Sequence, residues 1–396
     1  MSPGARRSRQ GIYLHIPFCL MKCNYCSFNS YALPSSRAPA PAIPDQYVAA
    51  LLIDIETESR GWAGQDGFAS IYLGGGTPSL LTADQMKKVV TATRSAFSVE
   101  PGAEITVECN PATASAAKLA RYRELGVTRL SIGVQSLGDQ ELRILGRIHT
   151  PQDALRALDL AREIGFIETS ADVMLGIPGQ TESSLRATLS GLVDRVTHVS
   201  VYILTADSGT PLRAMVDRGL VSLPDDDAVV DLYEAAREAL SAAGLARYEI
   251  SNYCRPGHRC LHNETYWRRG NYVGLGAGAH SHKDGRRYSK TKDPRKYVKS
   301  VNTPHEAIEF SEQLSQEQML LEDIMLGLRT DGGIDLAYLA ACYGAAAERL
   351  NPGLDGLLAE RYLVKRGNAI SLSPKGILLH DAICVELASA IACNSR

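Results

Sequence analysis

Strand-like and helix-like runs alternate through the first half of this 396-residue chain, and that rhythm limits its fold more than any other feature. The runs "GIYLHI" (11–16), "SIYLG" (70–74), "EITVE" (104–108), "RLSIGV" (129–134), "SADVML" (170–175) and "HVSVYIL" (198–204) read as strands. Helical patterns lie between them over 82–96, 115–125, 151–164 and 181–194, and Asp45 is a candidate cap for an earlier helix through "YVAALLIDIETES". Strands separated by helices of this length imply right-handed βαβ crossovers and a parallel sheet, hence an α/β fold. The rhythm suits an open doubly wound sheet and an incomplete barrel equally. Both place their site at the carboxyl ends of the strands. Chemistry-bearing residues gather there: the run "GGGTPS" after the second strand, Glu108, Gln135 and Asp172.

The second half changes texture. A helix is expected over 225–243, preceded by "PDDDA". A strand at "YEIS" and a Gly-rich irregular stretch to about 282 come next. "SKTKDPRKYVKS" is basic and on the surface, the one candidate for peripheral membrane contact. From about 310, helical runs over 312–328 and 335–350 precede a hairpin, "YLVKRGNAISLS", with Gly-Asn at its turn. That order resembles a small winged-helix domain. The expected division is a flexible basic tail (1–10), a core (11–245), an extension (246–305) and a C-terminal domain (306–396).

Composition excludes several classes. Hydrophobic residues at 45% and charged residues at 22% fit a folded globular protein, and a net charge of −2 gives no general pull toward nucleic acid. No apolar run is long enough to span a bilayer. The opening "MSPGARRSRQ" has three arginines but no apolar segment behind them, so it is not a secretory signal. Six of the nine cysteines are scattered, which fits a reducing compartment, with cytoplasm as the expectation.

The other three, Cys19, Cys23 and Cys26, stand in "FCLMKCNYCSF" with Cys-x3-Cys-x2-Cys spacing. Three buried structural cysteines would sit poorly in a loop this polar. A zinc site would need a distant fourth ligand. A [4Fe–4S] cluster held by three thiolates leaves its fourth iron open to an exogenous ligand. "GGGTPS" adds glycines that let backbone approach a ligand closely.

Together the two motifs resemble the radical S-adenosylmethionine (SAM) superfamily. The resemblance implies that the methionyl group of SAM closes the fourth iron and that an electron from the reduced cluster breaks a C–S bond to give a 5′-deoxyadenosyl radical. It also implies that Tyr25 lies beside the adenine. "HIPFC", "GGGTP", "VECNP", "SIGVQS", "GRIH", "DVMLGIPGQT" and "GLGAGAH" resemble the oxygen-independent coproporphyrinogen oxidases and their relatives across nearly the whole chain. That likeness implies a partial (β/α)6 barrel followed by a C-terminal domain. It assigns Tyr13, Gly75 and Glu108 to a first SAM site, and Gly76, Thr77, Gln135, Arg147 and Asp172 to a second.

Two departures count against porphyrinogen oxidation. Phe28 stands where the oxidases carry a fourth cysteine, and the first strand begins near residue 11, without their longer N-terminal cover. "HNETYW" (262–267) instead resembles the signature of the HemW-type heme chaperones, which implies heme binding and transfer to heme-dependent respiratory proteins. On that resemblance His262 is the expected axial ligand, flanked by Tyr266 and Trp267, with Cys260, His280 and His282 as rivals. The alternative is an enzyme: coproporphyrinogen III dehydrogenation or another radical reaction on a tetrapyrrole.

Overall fold

A computed structural model describes residues 9–34, 43–64 and 66–393. The Pro-rich 35–42 and most of the expected basic tail lie outside the described residues. Six strands carry the first half: β1 (Gln10–Ile16), β2 (Phe68–Gly75), β3 (Val99–Cys109), β4 (Arg129–Gln135), β5 (Glu168–Leu175) and β6 (His198–Ile203). Each pairs in parallel with the next, with registers such as Tyr13↔Tyr72, Tyr72↔Thr106, Glu108↔Ser131 and Asp172↔Ser200.

Side-chain alternation explains why the sheet curls. Ile12, Leu14, Ile71, Leu73, Ile105, Val107, Leu130, Ile132, Val173 and Val199 form the packed core. The intervening residues, among them Tyr72, Glu108, Ser131, Asp172 and Ser200, line a single cavity. A sheet whose apolar face meets helices and whose polar face meets itself is a barrel wall. The barrel is open, because β1 continues to the parallel strand Tyr272–Leu275 and β6 pairs antiparallel with Asn252–Cys254, so β1 and β6 do not meet. This is the partial barrel, not the flat doubly wound sheet. Each fully buried Ile, Leu or Val of the core contributes roughly 1.5–3 kcal/mol.

The helices keep close to their expected spans, and their starts show why. Thr82, Thr150 and Thr181 each make a reciprocal capping box three residues into the helix, and Asp225 accepts from Ala228 N. Asp45 does not cap. Pro44 occupies that position and Asp45 accepts from Gln85 Nε2 at 2.8 Å, joining two helices. Short helices Asp139–Leu145, Pro211–Asp217 and Leu261–Trp267 fall where the sequence pattern was too brief to read. "YEIS" is irregular, and the strand follows it at Asn252–Cys254.

The sheet runs on past residue 305, through His280–Lys283 and Arg286–Lys290 to Ile308–Gln313. The basic helix Pro294–Ser300 is half committed. Tyr297 is buried, and its hydroxyl donates to Asp54 at 2.9 Å. Beyond it, helix Gln316–Arg329, the three-stranded sheet (Ile334–Asp335, Ala369–Leu372, Leu363–Arg366) and helix His380–Cys393 build the winged-helix-like domain. The expected helix over 335–350 breaks at Gly344, whose φ of 52° ends Leu336–Tyr343. The hairpin turns at Gly367-Asn368, as read.

One ion cluster braces the barrel floor. Arg129, 2% exposed, bonds Glu104 at 2.9 Å and Glu168 at 3.0 Å, and donates to the carbonyls of His258 and Arg259. Arg129→Met should strand Glu104 in the lumen and cost about 3–5 kcal/mol. Urea unfolding of the variant checks this, and a loss below about 1 kcal/mol would contradict the bracing role.

Candidate functional site

The cysteine loop is shaped by its own hydrogen bonds. Lys22 Nζ donates to the carbonyls of Phe28 and Ser30, at 3.1 and 3.2 Å. Asn24 Nδ2 donates to Ile144 O, and Asn29 Nδ2 to Ala277 O at 3.0 Å, pinning the loop to opposite sides of the barrel. Phe18–Cys19 and Tyr31–Ala32 pair at its two ends. Cys19, Cys23 and Cys26 thereby open onto one cavity of about 500 Å³, together with Tyr25, Gly75, Gly76, Thr77, Glu108, Gln135, Arg147 and Asp172. Eleven of the twelve residues expected at the cluster and SAM sites therefore share one chamber. Tyr13, the twelfth, stands behind it, its hydroxyl 2.8 Å from His15 Nδ1 and its ring stacked on Tyr72. The eight cysteines whose side chains are described form no disulfide with one another.

The glycine run is dictated atom by atom. A Cβ on Gly74 would lie 2.9 Å from Tyr72 and 3.0 Å from Glu108 Oε1, and one on Gly76 would lie 2.6 Å from Phe18 O. Gly75 takes φ 113°, and a Cβ on it would lie 2.5 Å from the His15 ring. Gly76 N and Thr77 N then bond the carbonyls of Ile16 and Phe18, so the glycine turn and the cysteine loop form one unit.

Two carboxylates face each other across the chamber. Glu108 accepts from Tyr72 Oη at 2.9 Å and from Gly75 N at 3.0 Å, and Asp172 accepts from Ser131 Oγ at 3.1 Å. Withdrawal from water and the neighbouring Asp172 push Glu108 up to about 7; Asp172 itself is raised to about 6, mainly by withdrawal from water. Such a pair suits a ligand that offers hydroxyl donors to both.

Gln135 ends "SIGVQ" and was expected at the second SAM site, but its backbone conformation was not legible in the sequence. In the structure it holds φ 68°, beside a register break in the β4–β5 pairing. A non-glycine residue in this region is uncommon and costs free energy. The bend turns Gln135 into the chamber, where its Oε1 is buried with no partner among the described residues. Thr106 Oγ1 and Arg147 Nε are likewise unpartnered. Three converging thiols, a backbone cradle that any Cβ would fill and orphaned polar atoms fit an Fe–S cluster with a polar organic ligand beside it.

"HNETYW" does something other than expected. His262 is 1% exposed, with Nδ1 2.9 Å from Ser70 Oγ and Nε2 2.8 Å from Tyr266 Oη. Both ring nitrogens have a hydroxyl partner within the barrel floor. Burial also lowers its pKa to about 3. Its ring lies against Tyr72 and Tyr13, and its backbone N–H bonds Glu104, so the motif plugs the floor of the barrel, opposite the cysteines. Tyr266 packs edge-on to Tyr272. Trp267 faces away, into a second cavity of about 810 Å³. Cys260 is buried on Glu104, and His282 shares the cavity of Trp267.

His262→Ala is expected to cost about 2–4 kcal/mol of stability through lost packing and stranded Ser70 and Tyr266 hydroxyls. Urea melts check this, and a loss below about 1 kcal/mol would contradict it. The raised Glu108 pKa carries a sign. Native Glu108 holds a proton between pH 4.5 and about 7, where the unfolded carboxyl does not, so stability falls as pH rises through that window. Glu108→Gln should therefore melt higher than the parent at pH 8, with the difference closing by pH 5, and should bind SAM more weakly. Thermal melts across pH test the first point and calorimetry the second.

Residues 13–191 match the family model of the Radical SAM superfamily, and residues 314–379 match that of the HemN C-terminal domain. The chain is 36% identical to heme chaperone HemW of Mycobacterium tuberculosis over 94% of its own length and 93% of the relative's. It is 35% identical to heme chaperone HemW of Escherichia coli K12, covering 94% and 96%. It is 36% identical to the mitochondrial radical S-adenosyl methionine domain-containing protein 1 of Bos taurus, covering 98% and 90%. Among solved structures, E. coli coproporphyrinogen III oxidase HemN shares the fold, with a TM-score of 0.82 at 23% identity over 98% of this chain and 91% of that one. With cysteine loop, glycine cradle, barrel and C-terminal domain all in place, this chain belongs to the radical SAM superfamily, in the HemW family.

Proposed function

We propose that this protein is a heme chaperone of the radical SAM class, one that binds heme and passes it to heme-dependent respiratory proteins from the cytoplasm. The observation that carries the reading is end-to-end similarity to relatives named heme chaperone HemW, with Phe28 at the position of the oxidases' fourth cysteine. Phe28 is 68% exposed at the rim of the chamber, an apolar side chain with no ligand capacity. No helix among the described residues is long and apolar enough to cross a membrane.

Cys19, Cys23 and Cys26 would hold a [4Fe–4S] cluster. Tyr25, Gly75, Glu108 and Asp172 would receive SAM, with Gly76, Thr77, Gln135 and Arg147 lining the rest of the chamber and Tyr13 supporting it from behind. When bound, the cluster supplies the electron that cleaves a sulfonium C–S bond. The chain's own part is to accept hydroxyl hydrogens on its two carboxylates and to keep water from the sulfurs. For heme, His262 and Tyr266 are committed to the floor. Trp267 and His282 are the better candidates. His282 Nδ1 is 2.9 Å from Gly270 O, a backbone carbonyl that orients the ring, and Nε2 has no partner among the described residues.

Anaerobic reconstitution followed by heme titration tests the reading. Stoichiometric binding, about four irons and four sulfides per chain, and no conversion of coproporphyrinogen III are expected. Absence of a heme spectrum, or turnover of coproporphyrinogen III, would overturn it in favour of the enzyme, and zinc in place of iron would overturn the cluster.

A further inference from the structure

The family resemblance gives Arg147 to a second SAM site, but the structure has already engaged both of its terminal nitrogens. Nη1 donates to Cys23 Sγ at 3.3 Å and Nη2 to Gly133 O at 2.6 Å. The placement is built. Gly146, at φ 69°, ends helix Asp139–Leu145 and turns the chain, and a Cβ there would strike Asn24 of the cysteine loop at 2.8 Å. Arg147 N then bonds Leu142 O. Gly133 supplies the opening, since a Cβ on it would lie 3.2 Å from Arg147 Nη2.

The other two sulfurs have donors as well. Thr77 Oγ1 donates to Cys19 Sγ at 3.5 Å, and Ser30 Oγ lies 3.7 Å from Cys26 Sγ. Each cysteine of the triad thus has a polar side chain within reach, from the glycine turn, the loop itself and the segment after β4, with the Ser30 hydroxyl shared between Cys26 and the Phe28 carbonyl. Only Arg147 brings a full positive charge, and its guanidinium stays protonated at any working pH.

We infer that Arg147, Thr77 and Ser30 are positioning residues that set the reduction potential of the cluster, with Arg147 dominant. The inference rests on the cluster reading above. A one-electron reduction adds a negative charge, which spreads onto the thiolate sulfurs. Hydrogen bonds and a cation at those sulfurs favour the reduced form and raise the potential. The same donors make the cluster easier to reduce and a weaker donor toward a sulfonium.

The test is an EPR-monitored redox titration of the reconstituted full chain, with iron and sulfide counted in every sample. Arg147→Met should lower the midpoint enough to change the reduced-to-oxidised ratio at least tenfold at a fixed potential, about 59 mV for one electron. Arg147→Lys should fall between parent and Met. Thr77→Val and Ser30→Ala should shift the midpoint less, in that order. Should Arg147→Met fail to hold four irons, the Lys, Val and Ala variants decide by the same ordering. Midpoints equal to the parent's in fully loaded variants, or an Arg147 shift no larger than that of Ser30→Ala, would overturn the inference. A parent chain that takes up no iron or sulfide would overturn the cluster reading itself, and the inference with it.

Discussion

The barrel stands on a cation held between carboxylates. Arg129 reaches Glu104 on one neighbouring strand and Glu168 on the other, and its second terminal nitrogen takes two backbone carbonyls of the segment at 258–259. A guanidinium is suited to this, because its planar fork can serve several acceptors in fixed directions. Removing it would leave charge in the lumen without a counterion, the most expensive failure available to a buried ion pair. The contact also seats the floor plug. Glu104, once paired, can accept from His262 N and Cys260 Sγ, and the imidazole then lies flat beneath Tyr72 and Tyr13.

From that floor upward the lumen is graded. Its lower end is dense with internal hydrogen bonds, although Arg129 Nη1 and the neighbouring Thr106 Oγ1 have no partner among the described residues. Its upper end keeps Gln135 Oε1 and Arg147 Nε without partners among the described residues. Protein interiors rarely leave such groups unmet, so their clustering beneath the cysteine loop marks where a ligand belongs. The two carboxylates add to the contrast. Glu108 and Asp172 sit near neutral pKa values because burial withdraws both from water and Asp172 sets a like charge beside Glu108.

Much of this was legible in the chain itself. The six strands, the capped helices and the hairpin at Gly367-Asn368 follow from periodicity and turn chemistry, which are local. The cysteine triad and the glycine run were legible because their chemistry tolerates little substitution. Short helices were missed because seven residues carry too little pattern. Gln135 offered no signal of its strained backbone. The packing of "HNETYW" was not legible for a related reason. His, Tyr and Trp suggest a heme contact, but which face each presents depends on where one short helix docks.

The sequence alone determined the alternation of strand and helix, the three-thiol loop, the glycine cradle and the absence of a fourth cysteine at Phe28. These depend on residue type and spacing, which survive any rearrangement of the surroundings. Only the tertiary structure decided that the sheet closes far enough to make a chamber, that His262 braces the floor and that Arg147 faces a sulfur. Each of those outcomes joins groups more than a dozen residues apart, 192 in the case of Ser70 and His262 and 124 for Cys23 and Arg147. Hydrogen bonds and ion pairs act over a few ångströms, so partners that far apart along the chain meet only once the whole fold has brought them together.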